Sequence, residues 1–213
     1  AGVPRDQVAT VYNGVDLERF CPGDKNAARG ELELHRADSI ILFVGNFYPI
    51  KNPMLLVRAH AELCDQNPNR VYRLIMIGDG PQMSAARQEA DNLGFSKWVQ
   101  FPGRISPDQV AGYMRAADAL CVPSDNEGVP NVILEAFATG LGVVATDVGG
   151  IPEVMPHEFL GTLVESNDAA QMAGAIRDEI DRESRTKSIS DYAGGFSWKK
   201  TASAYFDVLK NAT

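Results

Sequence analysis

The sequence ALCVPSDNEGVPNVILE spans residues 119–135 and contains a short apolar run, a polar loop and a second apolar run. The first run, Ala119–Val122, is typical of a buried strand. The loop ends at Pro130, a residue well suited to the first turn of a helix. The run from Val132 to Ala138 is apolar nearly all round, so we predict a buried helix there. A strand, a loop and a buried helix in this order form the repeating unit of an α/β fold.

One carboxylate, Glu135, lies within this apolar helix. An ionised carboxylate is rarely buried without a partner, because its desolvation is costly. Two interpretations remain open from the residues alone. Either Glu135 pairs with another group of the protein, or it faces a cleft in which a polar ligand binds.

The same pattern of strand and helix repeats along the chain from Ile40 onward. Because the predicted strands are continuous apolar runs, they favour a doubly wound, Rossmann-like parallel sheet of about six strands flanked by helices. An earlier strand at Val8–Tyr12 and a helix at Asn26–Arg36 are also predicted. We expect helix N-caps at Asn52, Ser106, Asp168 and Ser197. The six predicted strands are Ile40–Val44, Tyr72–Ile77, Val99–Phe101, Ala119–Val122, Gly142–Thr146 and Gly161–Val164.

Composition limits the classes of function. A chain of 213 residues fits one domain, and a net charge of -8 argues against general binding of nucleic acids. The cysteines are far apart and odd in number, which indicates free thiols in a reducing compartment. The cysteines and histidines have no metal-ligand spacing, and no apolar run approaches the ~20 residues of a membrane span.

The usual order of six such strands, 3-2-1-4-5-6, would bring the first and fourth strands together at the switch point where ligands bind. The loop Gly45–Lys51 would then lie beside the loop Ser124–Pro130. Lys51 supplies a cation, and the helix that begins near Val129 supplies free N–H groups and a positive dipole end. These features predict a site for a small, nucleotide-like anion. Taken alone, Lys51 is more typical of a solvated surface lysine than of a ligand-binding one.

The residues around this site resemble a known family. Glu127 and Glu135 are separated by seven residues, and this run resembles the signature of retaining GT-B glycosyltransferases of the group 1 family. The resemblance covers Val8–Leu209. Further segments that agree with the family, in order, are Val44-Gly45 with Lys51, Gly78-Asp79-Gly80-Pro81, Gly103-Arg104-Ile105, Asp147-Val148-Gly149-Gly150-Ile151-Pro152-Glu153 and Phe196-Ser197-Trp198.

The resemblance implies that residues 1–213 are one half of a GT-B fold, the domain that binds the nucleotide sugar. The N-terminal acceptor domain would be absent from this chain, so we expect the chain alone to be inactive. The last helix, from Trp198, resembles one that packs on that first domain, and its aromatic face would be partly exposed or else packed in the core. A cytoplasmic location is implied, with any peripheral membrane contact made through the missing domain.

The resemblance also implies roles for individual residues. Glu127 and Lys51 would be catalytic, with Glu127 holding hydroxyls of the donor sugar and Lys51 offsetting charge on the leaving diphosphate. Glu135 would accept hydrogen bonds from the ribose. No metal and no cofactor are implied, because Lys51 and a helix N-terminus meet the diphosphate. The full set of implied donor-binding residues is Gly45, Asn46, Lys51, Gly103, Arg104, Ile105, Glu127, Gly128, Val129, Pro130, Asn131, Val132 and Glu135.

The chain departs from the family at Asn46. Many members have Arg or Ser directly after the glycine of the first strand, and Asn46 can donate a hydrogen bond but carries no charge. If Arg is the usual residue in the subfamily of this chain, the replacement by Asn46 removes one cation that would bind the diphosphate.

Three other functions are compatible with an α/β fold. The first is a stand-alone module that binds a nucleotide or nucleotide sugar without catalysis, and it would use the same pocket. The second is an oxidoreductase that uses a dinucleotide. Gly78-Asp79-Gly80-Pro81 argues against it, because this segment lacks the third spaced glycine and follows the wrong strand. The third is a structural or interaction domain.

Overall fold

A computed structural model of the chain describes residues 8–211 and contains one six-stranded sheet. All of its strand pairs are parallel. The strands are β1 (Ser39–Val44), β2 (Tyr72–Ile77), β3 (Val99–Gly103), β4 (Ala119–Val122), β5 (Val143–Thr146) and β6 (Gly161–Val164). Their order in the sheet is β3-β2-β1-β4-β5-β6, so the predicted doubly wound topology is confirmed.

Both faces of the sheet are covered by helices, which is why the strands are apolar along their whole length. Alternate residues of β1 enter two separate cores, with Ile40 and Leu42 on one side and Ile41 and Phe43 on the other. The helices are α1 (Lys25–Glu31), α2 (Pro53–Gln66), α3 (Met83–Asn92), α4 (Pro107–Ala116), α5 (Asn131–Thr139), α6 (Ile151–Val154), α7 (Ala169–Asp181), α8 (Thr186–Ala193) and α9 (Trp198–Asn211). The first core contains residues of α1, α4, α5 and α8, and the second contains residues of α2, α3 and α7.

Most of the predicted helix starts are confirmed by side-chain caps. Asn52, Ser106 and Asp168 each accept a hydrogen bond from a backbone N–H in the first turn of α2, α4 and α7. Ser106 forms a full capping box with Gln109. Ser197 Oγ accepts from the N–H of Lys200 at 3.3 Å, at the start of α9.

Two local predictions were wrong. Val8–Tyr12 forms no strand and pairs with neither outer strand of the sheet, β3 or β6. The carbonyl of Tyr12 is bound instead by the Thr201 hydroxyl at 3.1 Å. The predicted helix Asn26–Arg36 is shorter, because the chain turns at Glu33, which adopts a left-handed φ of 54°. The helix α8 and the helical turn α6 were not predicted as helices.

The last helix, α9, presents an apolar face to solvent in the described part of the chain. Trp198 is 56% exposed, Phe206 66% and Leu209 68%, so this face is not packed in the core. The α9 face is defined here as Trp198, Tyr205, Phe206 and Leu209. No helix within residues 8–211 has the length and apolar character needed to span a membrane.

The loops at the carboxyl ends of β1 and β2 approach so closely that only glycine fits at Gly78. Its φ is 134°, and a Cβ at this position would collide with the carbonyl oxygen of Gly45. Gly94 also has a positive φ, of 79°, but a Cβ there would meet open space.

We predict that Gly94→Ala lowers the free energy of unfolding by ~1–2 kcal/mol, which is the backbone penalty alone. Gly78→Ala should cost about 2 kcal/mol more, because it adds a collision with the backbone. Urea unfolding of the two variants tests this expectation. Equal losses of stability would show that the contact between the two loops is not tight.

Candidate functional site

The loops that follow β1 and β4 lie side by side at the carboxyl edge of the sheet. Lys51 Nζ forms an ion pair and a hydrogen bond with Glu127 Oε1. Ser124 Oγ donates to the same carboxylate oxygen at 2.8 Å. The Glu127 side chain is only 10% exposed and the Lys51 side chain 29%. The switch point therefore holds a half-buried pair of opposite charges, and Lys51 is not a solvated surface lysine.

The loop before α5 is held by the glycines that follow β5. The N–H of Gly150 donates to the carbonyls of Glu127 and Gly128, at 3.2 and 3.1 Å. Pro130 is the N-cap, so α5 begins at Asn131. The first N–H groups of a helix, here those of Asn131 and Val132, have no partner within the helix. They give this edge a partial positive charge next to the Lys51–Glu127 pair.

Glu135 lies one turn further along α5 and is half-buried. Burial raises the pKa of its carboxyl group, and the nearby Arg19 guanidinium partly counteracts this rise. Arg19 itself bonds to Asp16 at 3.1 Å and to Asp108 at 2.8 Å. No hydrogen-bond partner for the Glu135 side chain is found within residues 8–211. Of the two interpretations from the sequence, this argues against a carboxylate that is hydrogen-bonded within the described part of the chain, and the cleft of the other interpretation stays a prediction.

The other predicted site residues lie along the same edge. Gly45 follows β1, and its N–H donates to the carbonyl of Ile77 at 3.0 Å, while Asn46 is exposed beside it. Gly103 ends β3, which β2 separates from β1. Arg104 is exposed, and Ile105 packs partly against the core. Gly128 is exposed and Val129 partly buried in the loop before α5.

Arg19 belongs to this site but was not predicted. Its partner Asp108 lies in the first turn of α4, directly after the loop that contains Arg104 and Ile105. Arg19 therefore connects the loop after β3 to the region of Glu135. The sequence offers no local signal for this role, because Asp108 is 89 residues away along the chain.

A separate cleft of about 290 Å³ lies at the opposite, amino edge of the sheet. Its lining includes Arg182 and Arg185, which both pair with the buried Glu179. Helices α4, α5 and α7 end there, and helix C-termini attract cations. Those structural roles account for its charges, and none of the predicted site residues lines it. Among the described residues, no group of three or more His, Cys, Asp or Glu side chains is placed to hold a metal ion.

Because the pKa of Glu135 is raised in the folded protein, we expect this residue to make the free energy of unfolding depend on pH. A carboxyl group with a raised pKa binds its proton more tightly in the folded state, so the folded state loses stability as pH rises through that pKa. Glu135→Gln should therefore be more stable than the parent chain at pH 7. The difference should vanish as the pH falls below about 4.3, the ordinary value for Glu.

Urea unfolding at pH 7 and at pH 3.5 tests this, with Glu165→Gln, an exposed glutamate just after β6, as the control for loss of one charge. A Glu135→Gln variant that is less stable than the parent at pH 7 would show that the carboxylate is paired in the folded state.

The architecture is shared with solved structures of longer chains. Sucrose-phosphate synthase from Thermosynechococcus elongatus superimposes with a TM-score of 0.83 and 29% identity, over 95% of this chain and 52% of that chain. Anabaena HepE, whose structure is a complex with UDP and glucose, superimposes with a TM-score of 0.80 and 21% identity, over 95% of this chain and 55% of that chain. At 21% identity the second likeness shows the fold alone.

Sequence comparison also finds relatives of this chain. The chain is 37% identical over 222 aligned positions to D-inositol 3-phosphate glycosyltransferase of Nocardia farcinica (strain IFM 10152), with 99% of this chain and 49% of that protein covered. It thus spans about half the length of the curated relatives it matches. Residues 24–195 match the family model described as "Glycosyl transferases group 1". The chain belongs to the group 1 glycosyltransferase family.

Proposed function

We propose that this chain is the donor-binding domain of a retaining glycosyltransferase, which transfers a sugar from a nucleoside-diphosphate sugar to an acceptor. The observation that carries the proposal is the Lys51–Glu127 pair beside the N-terminus of α5. A lysine and a helix N-terminus together suit a diphosphate, and the adjacent carboxylate suits sugar hydroxyls. Relatives named as glycosyltransferases support the same chemistry here.

Glu135 would fix the nucleoside. A carboxylate accepts hydrogen bonds from two adjacent hydroxyls, which is the arrangement that a ribose offers. Its half-buried position on α5 excludes much of the competing water. The loop Gly103–Ile105 would border the base, since Arg19 and Asp108 connect it to the Glu135 region.

Lys51 and the first N–H groups of α5 would bind the diphosphate. In the transfer step, the bond between the anomeric carbon and the β-phosphate oxygen breaks, and the bond to the acceptor oxygen forms on the same face of the sugar. The acceptor O–H bond breaks as well, and its proton passes to the departing phosphate oxygen. Negative charge grows on the departing phosphate oxygen. A cation and a dipole end that are already in place stabilise this charge without reorganisation. These groups supply the positive charge in this proposal, which therefore invokes no metal and no cofactor.

Glu127 would hold the hydroxyls of the donor sugar. In the free chain its Oε1 is bound by both Lys51 and Ser124. A bound diphosphate gives Lys51 a second anion, which frees acceptor positions on Glu127 for the sugar. Glu127 and Glu135 therefore have different partners, and neither serves as the second carboxylate of a glycosidase-type pair.

The acceptor would be bound by a second domain that lies outside this chain. Two observations support this part of the proposal: the chain covers 49% of its relative from Nocardia, and the α9 face is exposed. A contiguous exposed apolar face indicates an interaction surface. Because Asn46 carries no charge, Lys51 would be the main side-chain cation for the diphosphate.

Calorimetric titration of the chain with UDP, GDP and ADP tests the binding site. At least one of these nucleotides should bind, and Glu135→Ala should weaken that binding by at least about 10-fold, because it removes hydrogen bonds to a charged group. Glu165→Ala, which removes an exposed carboxylate from the same edge, should bind like the parent chain. Unchanged affinity in Glu135→Ala, or no binding of any of the three nucleotides, would contradict the proposal.

We also expect the chain alone to transfer sugar at a negligible rate, because the acceptor would lack its binding domain. Incubation with a panel of nucleotide sugars and simple acceptors, followed by detection of released nucleoside diphosphate, measures this directly. Robust acceptor-dependent turnover would show that a second domain is dispensable.

A further inference from the structure

Asn52 adopts an unusual backbone conformation directly after Lys51. Its φ and ψ are 44° and 52°, in the left-handed region. Most residues with a side chain lose ~1–2 kcal/mol in this conformation, whereas glycine adopts it freely and asparagine adopts it when its side chain hydrogen-bonds locally. The presence of asparagine at this position therefore calls for a contribution from its side chain.

The Asn52 side chain makes three hydrogen bonds, two of them to other loops. Its Nδ2 donates to Asp125 Oδ1 at 2.9 Å and to Asn167 Oδ1 at 2.7 Å. Its Oδ1 accepts from the N–H of Leu55 at 3.3 Å and so caps α2. One amide thus joins the loops that follow β1, β4 and β6 to the start of a helix.

Asp125 forms hydrogen bonds with both residues that flank Lys51, Ile50 and Asn52. Its N–H donates to the carbonyl of Ile50 at 2.8 Å, and its Oδ1 accepts from Asn52. The residues before and after Lys51 therefore contact the same aspartate, which lies two positions before Glu127. Ser166 Oγ also donates to Asp125 Oδ1, at 3.2 Å.

We propose that Asn52 is a positioning residue that fixes Lys51 relative to Glu127 by clamping the two loops through Asp125. The catalytic role of this positioning rests on the proposed function. With the clamp in place, the Lys51 backbone is held at both neighbours, so its ammonium group is directed at Glu127 and at the adjacent diphosphate position. Preorganised cations of this kind bind and stabilise charge without paying for reorganisation.

Neither glycine nor aspartate satisfies all of these contacts. Glycine would keep the left-handed backbone but lose the three side-chain hydrogen bonds. Aspartate would keep the cap on α2 but could not donate, and it would place a second negative charge beside Asp125. The clamp can therefore be removed with Asn52→Gly while the backbone conformation is retained.

The test compares Asn52→Gly with Glu33→Gly, a change at another left-handed residue, which is exposed and lies in the turn after α1, outside the site. Each variant is titrated with whichever of UDP, GDP and ADP the parent chain binds most tightly, and with the corresponding nucleoside. Hydrogen exchange of the Asp125 amide, whose partner is the Ile50 carbonyl, measures the clamp without any ligand.

We expect Asn52→Gly to weaken diphosphate binding and to speed exchange of the Asp125 amide, each by about 10-fold, as for the loss of a hydrogen bond. Its affinity for the nucleoside and its melting temperature should stay close to those of the parent chain. Glu33→Gly should change neither measurement. Asp125→Asn keeps an accepting Oδ1 and should retain most of the affinity, whereas Asp125→Ala should resemble Asn52→Gly.

Two results would overturn the proposal: an Asp125 amide that remains protected in Asn52→Gly, or equal losses of affinity for the diphosphate and the nucleoside. If the parent chain binds none of the three nucleotides, the proposed function fails. The exchange measurement then still decides whether Asn52 clamps the loops.

Discussion

The parallel pairing of β1 with β4 is the constraint on which the site depends. Ile41 lies beside Ala119 and Leu42 beside Leu120, at the centre of the sheet. The helices that follow these two strands pack on opposite faces, so their connecting loops diverge and leave a crevice between them. Lys51 comes from one loop and Glu127 from the other, and their ion pair exists only because these strands are neighbours.

The charges in the crevice differ from the net negative charge of the whole chain, because positive and negative groups lie close together there. The chain carries a net charge of -8, yet its switch point contains a lysine, a helix N-terminus and two partly buried carboxylates. Glu127 is satisfied by Lys51 and Ser124, whereas Glu135 remains half-buried with a raised pKa. A group that costs stability in the free protein is typical of a binding site, where the ligand supplies the missing hydrogen bonds.

The strand order and most helix starts could be predicted from the sequence, because apolar runs and polar caps such as Ser106 act over a few residues. The same local signals brought Lys51 and Glu127 together once the strand order was assumed. Arg19 and Asn52 could not be predicted, since their partners Asp108 and Asp125 are 89 and 73 residues away. Val8–Tyr12 has the composition of a strand, but the Tyr12 carbonyl bonds to Thr201, 189 residues away along the chain, instead of to an edge of the sheet.

The most direct test of the account is a map of backbone amide shifts by nuclear magnetic resonance as UDP, GDP or ADP is added to the ¹⁵N-labelled chain. Ligand at the carboxyl edge should shift Gly45, Gly103, Asn131 and Val132 and leave the amino edge unchanged. Shifts confined to Gly140, Gly142 and Thr186, which line the cleft at the amino edge, would contradict it.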